Sequence, residues 1–202
     1  NFNINTIDTA QGYGNSEQVI GDYVRNKNRN LNIITKVSQS SHNIDIKSSL
    51  ERLDVDCLYA VLIHVFSDFK KDNSIFYKLA EYKEKGLINK IGFSLYFPEE
   101  LEYLIESKIK FDIIQVGYSV FDQRFKEYFA GLKNMGVEIH TRSVFLHGLY
   151  FKKANQLSSY FNEVKDKLKS LEQLSISWNL PIASICLNYV LNDTHIDEVI
   201  IG

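Results

Sequence analysis

Strand-like and helix-like patterns alternate along the whole chain. Ile4, Thr6, Ile7 and Thr9 are β-formers, and Asp8 stands at the C-terminal end of that first strand. Gly12 and Gly14 bracket Tyr13, which frees the backbone to turn tightly around one phenol. Ser16 has the character of a helix N-cap, and Val19, Ile20, Tyr23 and Val24 predict an amphipathic helix after it. The polar run Asn26–Lys27–Asn28–Arg29–Asn30 ends that helix. Asn32 to Val37 reads as a second strand, apolar enough to be buried on both faces, with Lys36 near its end. Gln39 to Asn43 is polar loop, and the spacing of Ile46, Leu50 and Leu53 predicts a helix ending near Arg52. Cys57 to His64 is a third strand, closed by His64.

The second half keeps the rhythm. Ile75, Phe76, Leu79 and Tyr82 mark a helix, and Lys83–Glu84–Lys85–Gly86 is its charged end with a glycine stop. Strands follow at Lys90 to Ser94, Phe111 to Gly117, within Gly136 to Ser143, and at Glu198 to Gly202. Between them come helices opened by Pro98, around Phe125 to Asn134, from Leu157 to Trp178, and from Pro181 to Leu191. Seven strands with helices between them are an α/β pattern, either an open doubly wound sheet or a (β/α)8 TIM barrel. No G-x-G-x-x-G follows any strand, so the barrel is favoured. A ring of seven strands would leave hydrogen-bonding edges open at its seam. The first strand–helix unit and the last helix of an eight-stranded barrel are therefore expected to be absent from this sequence.

Composition narrows the function classes. With 202 residues, 45% of them hydrophobic, the chain can bury one sizeable core, so residues 1–202 are expected to form a single domain. A net charge of −2 gives no general attraction to nucleic acid or to an anionic membrane. Cys57 and Cys186 are far apart in apolar contexts and read as reduced core thiols. There is no run of eighteen apolar residues and no signal peptide, from which a cytoplasmic protein is expected.

Asp8, Tyr13, Lys36 and His64 fall at or just beyond the C-terminal ends of the first three strands, which a barrel gathers on one rim. Taken singly they are unremarkable: Asp8 is as readily a turn former, Tyr13 a surface residue, His64 a core histidine. Together they make an assembly with a purpose. A free phenol titrates near about 10, and a neighbouring ammonium lowers that value. Tyr13 next to Lys36 becomes a competent proton donor to a carbonyl oxygen. Asp8 keeps Lys36 charged, and His64 helps to orient the oxygen. This suits hydride addition to a carbonyl, in which an alkoxide develops. His140 and His147 lack a carboxylate or thiolate at ligand spacing, so no metal site is expected. His42 and His195 lie in polar loops and are expected at the surface. Tyr96, Tyr118 and Phe121 either line a substrate pocket or cap the barrel mouth. Lys165 to Lys169 reads as a solvated helix face.

These residues resemble the aldo-keto reductase family. The resemblance is carried by Asp8–Thr9–Ala10–Gln11–Gly12–Tyr13–Gly14–Asn15–Ser16–Glu17, Ile34–Thr35–Lys36, Leu50–Glu51–Arg52–Leu53–Asp54–Val55–Asp56 and Leu62–Ile63–His64. It continues in Gly92–Phe93–Ser94, Gln115–Val116–Gly117–Tyr118–Ser119 and Arg142 to Gly148. It implies a NAD(P)(H)-dependent (β/α)8 oxidoreductase that reduces an aldehyde or ketone, with a sugar-like carbonyl as the expected substrate and NADP(H) ahead of NAD(H). It implies Asp8, Tyr13, Lys36 and His64 as catalytic residues, with Tyr13 the general acid. It implies Ser94 and Gln115 at the nicotinamide carboxamide, Arg142 where many members hold the ring with an aromatic, and Ser143, Phe145 and Gly148 along the pyrophosphate. Leu95 departs from the asparagine many members have there, and the family's adenosine-gripping segment would follow Gly202. The same resemblance includes barrels that act as cofactor-binding regulatory or interaction subunits with little turnover, which is the alternative function.

Overall fold

The computed structural model describes residues 4–27, 31–38 and 45–202. The expected polar loop at Gln39 to Asn43, with His42, and the stretch Asn28 to Asn30 lie outside the described residues. Apart from α3, the elements follow the predicted pattern: β1 (Thr6–Asp8), α1 (Ser16–Lys27), β2 (Asn32–Val37), α2 (Ile46–Leu53), β3 (Leu58–Ile63), α3 (Phe66–Lys71), α4 (Ser74–Glu84), β4 (Ile88–Leu95), α5 (Pro98–Glu106) and β5 (Ile113–Gly117). After them come α6 (Phe129–Asn134), β6 (Glu138–Arg142), α7 (Asn162–Trp178), α8 (Ile182–Leu191) and β7 (Glu198–Val199). The chain divides into two compact units, residues 1–115 with 134–138, and residues 116–133 with 139–202.

In the first unit the strands pair in chain order and in parallel. Asp8 is in register with Ile34, Lys36 with Leu62, and Leu62 with Gly92. Because side chains alternate, residues two apart share a face. Ile34, Ala60, Leu62 and Ile113 pack into one buried apolar cluster. Lys36, two residues beyond Ile34, and Gln115, two beyond Ile113, lie on that same face at the C-terminal ends. Near the N-terminal ends of β3, β4 and β6, Lys90 donates to Glu138 and, at 2.8 Å, to the Tyr59 hydroxyl, which itself donates to Glu138 at 2.7 Å. Burial pulls the Lys90 ammonium down, but its bonds to Glu138 and Tyr59 outweigh this and hold its pKa above the ordinary value. Gly92 leaves no room for a side chain against β5: a Cβ there would lie 1.7 Å from the carbonyl oxygen of Ile113.

The second unit has its own core of Tyr150, Ala154, Leu168, Leu171 and Cys186. β6 and β7 pair in parallel, His140 opposite Glu198. Tyr118 is buried and donates its hydroxyl to Asp193 at 2.9 Å, with its ring edge-on to Phe129. Its ring is thus part of the packing of this unit, and it also lines a cavity with Lys126, Tyr189 and Asp193. Phe121 packs edge-on against Tyr150, whose hydroxyl donates to Ser119 at 2.9 Å and accepts from the Phe121 N–H. His195 keeps its side chain largely at the surface, as expected, with its Nδ1 held 2.8 Å from Asp193.

Several boundaries shift for local reasons. Ser16 is the first residue of α1, and its hydroxyl accepts from Thr9 Oγ1 at 2.9 Å instead of capping the helix. α3 was not legible, since two buried phenylalanines in six residues are too few to show a period. The 157–178 stretch starts with a 3₁₀ turn, and α7 proper begins at Asn162. β7 is only two residues long, although the Ile200 N–H still donates to Thr141 at 2.7 Å. Both cysteines are free thiols, but Cys57 is only partly buried, one residue short of the strand core. Cys186 is fully buried, and burial pushes its thiol up to about 11. Among the described residues no single helix is long and apolar enough to cross a membrane.

Two outcomes are expected. Gly92→Ala must push β4 off β5, costing roughly 2–3 kcal/mol as read from the urea midpoint. Burial raises the Asp193 carboxyl, but hydrogen bonds from His195 and Tyr118 outweigh it and hold the group below its ordinary value. A depressed folded pKa stabilises above the unfolded value and ceases to do so as pH falls through the folded one. The stability gap between the wild type and Asp193→Asn is therefore expected to be present at pH 7 and to close below about pH 4, measured by denaturation at each pH.

Candidate active site

The site is built at the C-terminal ends of β1, β2 and β3 in the first unit. Lys36 is drawn inside because it lies on the buried face of an apolar strand, and its side chain is 2% exposed. An ammonium there requires a counter-charge. Asp8, at the end of the neighbouring strand, supplies it through Oδ2. Lys36 Nζ also donates to the Thr9 carbonyl at 3.0 Å. Tyr13 stands on the loop after β1, half-exposed, with Lys36 Nζ 5.6 Å from its ring centroid. The His64 ring meets the same phenol ring edge-on, centroids 5.6 Å apart at 80°. His64 follows β3 directly, and its N–H donates to the Val37 carbonyl at 2.8 Å.

The loop that carries Tyr13 is tied at several points. Gln11 N–H donates to the Lys36 carbonyl at 3.0 Å, and Tyr13 N–H to the Ala10 carbonyl at 3.0 Å. Gly14 takes φ +61, the turn its lack of a side chain permits. Behind the loop, Glu17 is 3% exposed, and its carboxylate is answered by one guanidinium and two hydroxyls. Thr35 Oγ1 donates to it at 2.7 Å, and Arg52 donates twice, at 2.8 and 2.6 Å. Gln11 reaches the same cluster through Ser49 Oγ at 2.8 Å. Sequence reasoning did not single out Glu17 or Arg52 as a pair. The available signal was an acidic residue on the apolar side of a predicted helix.

Ser94 and Gln115 are buried polar residues on β4 and β5, 2% and 1% exposed. Ser94 lies one residue beyond the Ile63–Phe93 pair, level with His64. Gln115 is not idle: its Nε2 donates to Asp8 Oδ1 at 2.7 Å. That bond was not foreseen, because the two residues are 107 positions apart. Asp8, Tyr13, Lys36, His64 and Gln115 thus form one contiguous group.

In the second unit, Arg142, Ser143, Phe145 and Gly148 gather on the end of β6 and the loop after it. Arg142 Nη1 donates to Ser143 Oγ at 3.4 Å. Ser143, Leu146, His147 and Gly148 all take positive φ, between 44° and 82°, an unusual density of left-handed backbone. The turn is closed by Leu146 N–H to the Ser143 carbonyl and Gly148 N–H to the Phe145 carbonyl, both 2.9 Å. Phe145 packs beside Phe151, centroids 5.4 Å apart.

Known proteins share this fold. An aldo-keto reductase from Bacillus halodurans, in its apo form, is 27% identical with a TM-score of 0.80, over 98% of this chain and 71% of its own. An aldo-keto reductase from Pseudomonas aeruginosa is 26% identical with a TM-score of 0.60, over 70% of this chain, which spans 61% of that protein. An uncharacterized oxidoreductase of Schizosaccharomyces pombe is 28% identical over 93% of this chain and 67% of its own length. These likenesses give the chain the α/β fold of the (β/α)8 barrels, with the chain spanning about two thirds of such relatives. The profile of the Aldo/keto reductase family matches residues 1–202, and the chain belongs to that family.

Proposed function

We propose that the protein reduces the carbonyl of an aldehyde or ketone to an alcohol, with Tyr13 as the proton donor. The observation that carries this reading is the buried Lys36 ammonium, held by Asp8 and lying 5.6 Å from the centre of the Tyr13 ring. An ammonium beside a phenol favours the ionised form, so the phenol gives up its proton more readily. Tyr13 is half-exposed and can meet a substrate oxygen. As the carbonyl oxygen gains negative charge, Tyr13 passes its proton to it, and His64 hydrogen-bonds the same oxygen and orients it. Asp8 keeps Lys36 charged throughout. In the reverse direction the same groups accept the proton from an alcohol.

The hydride is supplied by a bound nicotinamide cofactor, NADP(H) ahead of NAD(H). The buried hydroxyl of Ser94 and amide of Gln115 offer the donors and acceptors that a carboxamide needs, so the residues present fit such a group. Arg142, Ser143, Phe145 and Gly148 are proposed as its further contacts, through a guanidinium and a turned backbone suited to an anion. A sugar-like hydroxylated carbonyl is the substrate class proposed.

Titration with NADPH and NADH by nicotinamide fluorescence, followed by loss of absorbance with a panel of aldehydes and ketones, tests the reading. Cofactor binding without turnover on any of them would favour a regulatory or interaction subunit instead. Tyr13→Phe is expected to lower kcat about 10²–10⁴-fold and leave cofactor affinity nearly unchanged. An undiminished rate would remove Tyr13 from the role of acid.

A further inference from the structure

Gln115 does something that a cofactor contact alone does not explain. It is 1% exposed on β5, and its Nε2 donates to Asp8 Oδ1 at 2.7 Å. Asp8 Oδ2 holds Lys36. Each carboxylate oxygen therefore has its own partner, one neutral and one charged. Only a donor can face a carboxylate, so chemistry alone decides which end of the Gln115 amide points at Asp8. Within the first unit β1 and β5 are the outermost strands of the order β1-β2-β3-β4-β5. The bond thus spans the interior and is no ladder contact.

We infer that Gln115 is a positioning residue for the Asp8–Lys36 pair, and acts on Tyr13 through it. This rests on the reading of Tyr13 as acid. The donated hydrogen bond fixes the plane of the Asp8 carboxylate, so that Oδ2 addresses Lys36. Lys36 is thereby held near the phenol, not drawn toward whichever oxygen is free. Among the described residues, the charged and titratable groups facing Lys36 include Asp8 from β1 and Tyr13 from the loop after it, with His64 edge-on to the Tyr13 ring. With the bond lost, Asp8 carries an unopposed lone-pair face and the ammonium is held less firmly. Both effects make the Tyr13 phenol harder to ionise.

The test does not need turnover. Phenolate absorbance is titrated in cofactor-free protein, and the same titration of Tyr13→Phe is subtracted to isolate Tyr13. The subtraction is repeated in the Gln115→Met background, which keeps length and volume but removes the donor. The midpoint assigned to Tyr13 is expected to rise by about half a pH unit or more. Gln115→Glu supplies a second variant. Its introduced carboxyl can donate to Asp8 when protonated and repels it when ionised. The ratio of its kcat to the wild-type value is expected to fall about tenfold or more between pH 5 and pH 8, whereas the ratio for Gln115→Met stays flat. An unmoved Tyr13 midpoint in Gln115→Met, with a change only in cofactor affinity, overturns the inference and leaves a carboxamide contact. Retained reduction by Tyr13→Phe overturns the underlying reading instead, so the two failures are told apart.

Discussion

A lysine ammonium with its side chain 2% exposed can exist only if its charge is answered within hydrogen-bonding distance. That requirement organises the site. Lys36 is buried because β2 is apolar on both faces, and Asp8 is there because β1 pairs with β2 in a register that ends beside it. Removing either partner would strand the other, a cost of roughly 3–5 kcal/mol for a buried pair. The pair is thus poor as a source of stability and good as a fixed point. Its value lies in where it puts a positive charge.

The supports around the pair follow from that fixed point. The Tyr13 loop is stitched to β2 by Gln11 and Thr9 backbone bonds, then backed by Glu17, whose carboxylate gathers Thr35, Ser49 and Arg52. Thr35 is the neighbour of Lys36 on the same strand, pointing to the opposite face. One strand therefore anchors a carboxylate on each side, Lys36 holding that of Asp8 through an ion pair and Thr35 that of Glu17 through a donated hydrogen bond. A second polar group, Tyr59 with Lys90 and Glu138, ties the other ends of β3, β4 and β6. Between these polar groups the first unit is held by Ile34, Ala60, Leu62 and Ile113, and by the absent side chain of Gly92.

Strain is concentrated after β6. Four residues between Ser143 and Gly148 take left-handed backbone, and three of them carry side chains. Such conformations persist where local hydrogen bonds over-determine them, as the Ser143–Leu146 and Phe145–Gly148 bonds do here. The opposite economy is seen at Tyr118 and Tyr150, whose hydroxyls are fully engaged inside the second unit. Burial is the main reason their pKa values lie above the ordinary one, that of Tyr150 at about 12. Neither phenol resembles Tyr13 in surroundings.

The alternation of strands and helices was readable from the chain because period-two and period-3.6 patterns are local. Asp8, Lys36 and His64 were readable for the same reason, since each stands at or next to the end of an apolar strand. Tyr13 was readable from its flanking glycines. What the linear order could not reveal was pairing at a distance. Gln115 reaching Asp8, and Glu17 reaching Arg52 across 35 positions, depend on register and on which face of each element turns inward. The same is true of the Tyr118 hydroxyl and the His195 ring, which both meet Asp193. Residue type and local period set which groups could do chemistry; only the folded arrangement decided which of them touch, because a hydrogen bond is sensitive to tenths of an ångström and sequence separation carries no such measure.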